Sequence, residues 1–163
     1  MELLDFEKIH PGECTIQELK EFLDDRAKEG FLTPEYRAAV NEWKILHFLQ
    51  DPLAQRMALA AQAGKLYREQ PFVLGVDAKR LNEKFPEEEK VLIQGIIDVF
   101  FLEEDGIVVL VYKTDRVASG EELWNRYETQ LDYYEEALCK LMGIPVKERV
   151  LYSFGLERCV RGA

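Results

Sequence analysis

Histidine is nearly absent and cysteine is sparse: the chain of 163 residues holds two of the first and three of the second. Cys14, Cys139 and Cys159 form no CxxC pair and no even set, a usage that favours a reducing, cytoplasmic setting. No apolar run approaches the roughly 20 residues that cross a bilayer. The longest, Val91 to Leu102, is interrupted by Gln94 and Asp98. The first ten residues have neither a basic start nor an apolar stretch, so no secretory signal and no membrane role are expected. A GxxxxGK(S/T) loop is missing, so the chain offers no ATP site of that kind. Internal repeats and low-complexity segments are missing too. Positive charge is also short: 21 Lys and Arg against 31 Asp and Glu leave a net charge of −10. A free-standing protein that holds nucleic acid by bulk electrostatics is expected to be basic. The balance therefore excludes tight, salt-resistant DNA binding by this chain alone.

What is present suits a globular fold. A hydrophobic fraction of 47% with 32% charged residues is ordinary for a domain that buries roughly two thirds of its unfolded surface. Charge marks no boundary, since residues 1–69 and 70–163 are both acidic, but pattern does. Thr15 with Glu18 is a capping box, Ile16, Leu19, Phe22 and Leu23 share a face, and Gly30 is a stop. Thr33-Pro34 starts a second helix with Val40, Trp43 and Leu46 as its stripe, and Asp51-Pro52 starts a third that Gly64 ends. From there the period changes. Gln70 to Val76 reads as a strand, Asn82 to Lys90 as an acidic loop, and Val91 to Leu102 as a long buried strand. Glu103 to Gly106 is a turn, and Ile107 to Lys113 returns as the second arm of a hairpin. Ser119 with Glu122 caps a helix with the stripe Leu123, Tyr127, Leu131, Tyr134, Leu138 and Leu141, ended by Gly143 and Pro145. Arg149 to Phe154 is a last strand, and the tail to Ala163 is a candidate edge. The expected organisation is α/β: a helical segment, 1–66, before a sheet-bearing core, 67–163.

Asp98 does not fit a plain core. It stands between Ile97 and Val99 in the most apolar strand, and a buried carboxylate without a partner is costly. It is either an acid on the solvent side of a half-exposed strand or one kept for a metal or a catalytic cation. If Leu102 pairs with Ile107, Asp98 falls opposite Val111, about 5 Å away at Cβ, and Lys113 shares that face. Lys113 then either neutralises Asp98 or works beside it.

The ordered set Gly95-Ile96-Ile97-Asp98, Tyr112-Lys113-Thr114-Asp115 and Gln130-Leu131 with Tyr134 resembles the RecB-type nuclease domain of bacterial AddAB-type helicase–nucleases, in the PD-(D/E)XK superfamily. The resemblance extends to Arg68 to Phe72 and to Asn82 to Gly95. It implies a restriction-endonuclease-like core with a central mixed sheet flanked by helices. It also implies a Mg²⁺-dependent DNA nuclease of double-strand break repair and recombination, with Mn²⁺ able to substitute. Asp98 would be a metal ligand, the Tyr112 backbone carbonyl a further one, and Lys113 the catalytic lysine. Gln130 and Tyr134, one turn apart, would border the site and touch DNA or the scissile phosphate. Plain packing for Tyr134 and a solvated amide for Gln130 are the alternatives. Glu69 is an accessory-ligand candidate, or a charged residue at a strand entrance. The implied partners are a single strand of DNA from an unwound duplex end, the helicase domains of a larger subunit, and its B subunit, in the bacterial cytoplasm.

Two departures stand out. The motif Asp-Tyr-Lys-Thr-Asp here begins with Val111, so the second metal-binding carboxylate is replaced by a side chain that cannot ligate. Asp115 lies about 13 Å along an extended strand from position 111 and is no ready substitute. Weak or absent cleavage is expected, with a non-cleaving DNA-binding or subunit-contact domain as the alternative. The family's metal-binding histidine on an upstream helix has no match either: His10 precedes Pro11, and His47 sits among Trp43 to Leu49. That motif would fall before Met1, which makes the chain read as a C-terminal piece of a larger subunit.

Overall fold

The caps set the helices. In a computed structural model, which describes residues 4–86 and 88–162, Thr15 and Glu18 form the reciprocal capping box of α1 (Ile16–Lys28). Thr33 caps α2 (Pro34–Ala39). The expected second helix is in fact two. Val40 is extended at φ −69° and ψ 127°, and α3 (Glu42–Gln50) starts afresh because the Asn41 side chain accepts from the Lys44 N–H. Trp43, expected in a buried stripe, is 66% exposed. Asp51 caps α4 (Pro52–Gln62), with Pro52 in the first turn. Among the described residues this part of the chain thus has four helices, where the apolar period suggests three.

The sheet has five strands in the order β1-β2-β3-β4-β5. Strand β1 (Leu66–Asp77) is longer than expected at its start, and β2 runs from Lys90 to Glu103. Residue 87 of the expected loop lies outside the described residues. The two strands are antiparallel and extend well past the rest of the sheet. Half of β2 is therefore not the buried strand expected: Leu92 is 65% and Ile96 57% exposed. Strand β3 (Gly106–Lys113) returns through a two-residue turn with Leu102 opposite Ile107, the expected register. Helix α5 (Gly120–Met142) then crosses over, so β4 (Val146–Ser153) lies parallel to β3. Ser119 caps α5, and Gly143 ends it at φ 70°, a left-handed conformation that glycine adopts without Cβ strain. Leu141, assigned to the inward stripe, is exposed. Strand β5 (Arg158–Val160) closes the far edge.

Alternation divides the sheet between two cores. Phe101, Val108, Leu110 and Tyr152 pack with α1, α3 and α4, whereas Phe100, Val109, Val111 and Leu151 pack with α5. The result is an α/β fold with a mixed five-stranded sheet flanked by helices, consistent with a PD-(D/E)XK-like core. Among the described residues no helix is long and apolar enough to cross a membrane.

Candidate active site

The alternation slips once. Ile97 and Phe100 both enter the α5-side core although they are three positions apart, an odd spacing, while Val99 enters the other. On the neighbouring strand Arg68 pairs with Val99 and Gln70 with Ile97, which sets Glu69 level with Asp98. Glu69 has φ 48°, rare for a residue with a side chain. It lies within β1 rather than at a strand entrance. The β2–β3 ladder ends at Val99 opposite Leu110. One step further Tyr112 donates its N–H to Asp98 Oδ2 at 3.2 Å. The carboxylate thus takes a backbone donor where the two strands part.

This fork opens into a cavity of about 570 Å³. Asp98, Glu69 and Tyr112 line it from the sheet, Thr114 from just past the end of β3, and Asn41 and Lys44 from the α2–α3 break. Burial pushes the Asp98 carboxyl above its usual range, while the Tyr112 N–H and the Lys113 charge pull the other way. The Lys113 ammonium is lowered, again chiefly by burial, with Asp98 and Asp115 opposing.

Lys113, Gln130 and Tyr134 come together on the α5 side. Lys113 Nζ donates to Gln130 Oε1 at 2.9 Å, Gln130 Nε2 donates to Tyr134 Oη at 2.6 Å, and that hydroxyl donates to the Ile96 carbonyl at 2.7 Å. Gln130 is therefore not simply solvated, and Tyr134 is both packed and hydrogen-bonded. The chain of bonds runs from β3 through α5 to β2, next to Asp98. Gly95 has a local reason: a Cβ there would lie 2.8 Å from the Phe72 ring, which meets Tyr134 edge-on with centroids 5.4 Å apart.

Asp98 and Glu69 line the cavity, and Lys113, Gln130 and Tyr134 form the hydrogen-bonded set on the α5 side, with Lys113 and Tyr134 both near enough to feel the Asp98 charge. Asp98 couples the two through the Tyr112 amide and the Lys113 charge. Val111 does not reach the cavity. It is 1% exposed and packed in the α5-side core with Val109, two residues back on the same face of β3. Asp115 accepts from Tyr127 Oη at 2.9 Å and from Arg126 at 3.1 Å, which together hold it below the usual carboxylate range, Tyr127 foremost. His47 contacts Glu157 at 3.2 Å and lies outside the cavity lining, as does His10.

Sequence spacing missed Lys44, Asn41 and Thr114 in the cavity wall. It also missed Tyr127 as the ring beneath Lys113, with Nζ 3.4 Å from the centroid. Only the odd polar residues at the α2–α3 junction could have drawn attention to the first two.

The donor set suits a hard cation in part. Asp98 and Glu69 supply carboxylate oxygens, and no group of three or more His, Cys, Asp or Glu gathers for a metal among the described residues. Mg²⁺ is commonly held by one or two carboxylates and completes its shell with water and substrate phosphate, so these residues fit it. They do not make an all-protein cage.

No family model matches the chain. Among curated proteins it is 40% identical over 162 residues, 97% of its length, to the A subunit of the ATP-dependent helicase/nuclease of Clostridium botulinum (strain Alaska E43 / Type E3). It is 42% identical over 165 residues to the protein of that name from Clostridium perfringens (strain 13 / Type A). Over 196 residues it is 37% identical to that of Lachnoclostridium phytofermentans, matching 99% of the chain. The chain spans only 13–14% of the length of these relatives. Over nearly its whole length it is thus similar to a short segment of the ATP-dependent helicase/nuclease A subunit.

Proposed function

We propose that this chain is a RecB-type DNA-nuclease domain of an ATP-dependent helicase/nuclease that acts in double-strand break repair and recombination, and that its own cleavage is impaired at Val111. The observation that carries the reading is the parting of β2 and β3 at Asp98, with Lys113 and the Gln130–Tyr134 bonds beside it. The relatives' shared name supports it. Residues 67–163 form the nuclease core, and the helical segment 1–66 closes one side of its cavity. The substrate is a single strand from an unwound duplex end. The helicase portion and the B subunit work elsewhere in the assembly, in the bacterial cytoplasm.

Asp98, with Glu69 and the Tyr112 carbonyl, would hold Mg²⁺ or Mn²⁺. When bound, that ion polarises the phosphate and lowers the pKa of an attacking water. Lys113 faces the charge that grows on the phosphate oxygens, where a fixed cation in a poorly solvated site is most effective. Gln130 and Tyr134 orient Lys113, because the amide oxygen accepts from Nζ and its amine is anchored on the tyrosine. Val111 supplies neither charge nor ligand. Its complete burial favours a second reading, a domain of the same fold retained for DNA binding or subunit contact without cleavage.

The test compares the parent chain with Val111→Asp on a labelled single-stranded oligonucleotide in Mg²⁺ or Mn²⁺. The parent should cleave weakly or not at all. Val111→Asp should gain metal-dependent cleavage that Asp98→Asn or Lys113→Met removes. A carboxylate at this apolar position is costly to bury, so melting with and without the ion should show stabilisation of the variant by metal. A folded variant with neither effect supports the non-cleaving reading, and robust cleavage by the parent refutes the impairment.

A further inference from the structure

The helical segment contributes a cation to the cavity that carries Asp98. Lys44, on the first turn of α3, lines it together with Glu69, Asp98 and Arg68. Its Nζ donates to the Phe154 carbonyl at 2.8 Å, and no carboxylate pairs with it among the described residues. That neutral tether fixes the side chain across the cavity without cancelling its charge. The α2–α3 break makes this possible. Extended Val40 ends α2, and the Asn41 side chain accepts the Lys44 N–H at 3.2 Å. Val40, Asn41, Lys44 and Ile45 thereby form one wall of the cavity.

Charge gives the wall a purpose. The chain carries a net −10, yet the cavity lining sets Lys44 and Arg68 against Glu69 and Asp98. A phosphodiester brought to Asp98 meets a carboxylate first unless a cation lies within reach, and phosphate contacts from Lys and Arg are what position a strand. The apolar side chains of Val40, Ile45 and Ile96 beside it give sugar and base a surface to lie on.

We propose that Lys44 contacts a backbone phosphate of the single strand as it enters the cavity, making α3 part of the substrate groove and Lys44 a positioning residue for the strand. The proposal rests on the nuclease reading above and is tested apart from it. Binding of a labelled oligothymidine to the parent, Lys44→Met and Lys44→Arg is followed by anisotropy across a salt series. Lys44→Met should weaken binding several-fold. It should also flatten the dependence of log affinity on log salt by about 0.7, the value of one phosphate contact to a single strand. Lys44→Arg should restore both, and Lys20→Ala, exposed on α1, should change neither. Circular dichroism checks that Lys44→Met, which loses the tether to Phe154, remains folded. If it does not, Lys44→Gln takes its place.

Parental affinity and slope in folded Lys44→Met overturn the proposal, as does a parent that binds no oligonucleotide. In the Val111→Asp background, Lys44→Met should raise KM and leave kcat near its starting value. Cleavage with an unchanged KM would sink the Lys44 assignment and leave the nuclease reading standing. Salt-sensitive binding through Lys44 with no cleavage by Val111→Asp would do the reverse.

Discussion

The Asp98 carboxylate accepts the backbone N–H of Tyr112 at 3.2 Å, at the point where β2 and β3 separate. A side chain there does the work of the next ladder bond, and it does so in a partly buried place. Two consequences meet: the strands can part without orphaning that donor, and a carboxylate is kept where it is unfavourable as an anion.

Asp98→Asn should therefore stabilise the metal-free protein at neutral pH. The amide oxygen still accepts from Tyr112, and no charge is buried. The folded carboxyl titrates above the unfolded one, so the parent's stability from this group is full at acid pH and is lost as pH rises through the folded value. The advantage of Asn should vanish at acid pH. A gain of about 1 kcal/mol would raise Tm by about 2–4 °C for a chain of this size. Melting in EDTA across pH reads it, and a variant less stable than the parent at neutral pH contradicts it.

Tyr134→Phe keeps the ring against Phe72 and removes the hydroxyl that joins Gln130 to the Ile96 carbonyl. A loss of about 1–2 kcal/mol is expected from the stranded partners. Denaturant unfolding of this variant, Gln130→Ala and the double variant should show non-additivity of at least about 0.5 kcal/mol. Strict additivity would mean that the two side chains do not act as a unit.

The sheet is clamped to α4 by Arg56, which reaches Glu103 at 2.8 and 2.9 Å and Glu148 at 2.7 Å. The Arg56 hydrogen bond chiefly lowers Glu103, to about 2. Its contribution is full above the unfolded carboxyl range and fades as pH falls through the folded value. Arg56→Met should cost about 1.5–3 kcal/mol at neutral pH and less in acid. An equal loss at both pH values would show that Arg56 acts through packing on Phe101 instead.

Arg37, on α2, holds Asp24 of α1 at 2.7 Å and Glu42 of α3 at 2.8 Å. It braces the break that shapes the cavity wall. Arg37→Met should speed amide exchange in α2 well before it lowers global stability. Unchanged exchange there would show that the break is held by the Asn41 cap alone.

Local chemistry makes much of this legible in the sequence. Thr15, Thr33, Asp51 and Ser119 mark helix starts because a side-chain oxygen must meet free N–H groups within a few residues. The Glu104-Asp105 turn sets the hairpin register as far as Val99 and Leu110 for the same short-range reason. Helical period alone places Gln130 and Tyr134 together. The α2–α3 break is not legible, because Val40 continues the apolar period and only the Asn41 cap in three dimensions interrupts it.

Position 98 marks the division. A carboxylate interrupting an apolar strand, a lysine ending the facing strand and a valine at position 111 can be read from the residues alone. Where those side chains point is set by packing in three dimensions. Pleat alternation extrapolated from a turn carries Asp98 to the face of Val111. The β2–β3 ladder instead stops at Val99 and Leu110, Val111 lies in the core, and the Tyr112 N–H goes to Asp98, which lines the cavity. Lys44 joins Asp98 there although it is distant in sequence, since a cavity is closed by packing between elements and leaves no spacing in the chain to read.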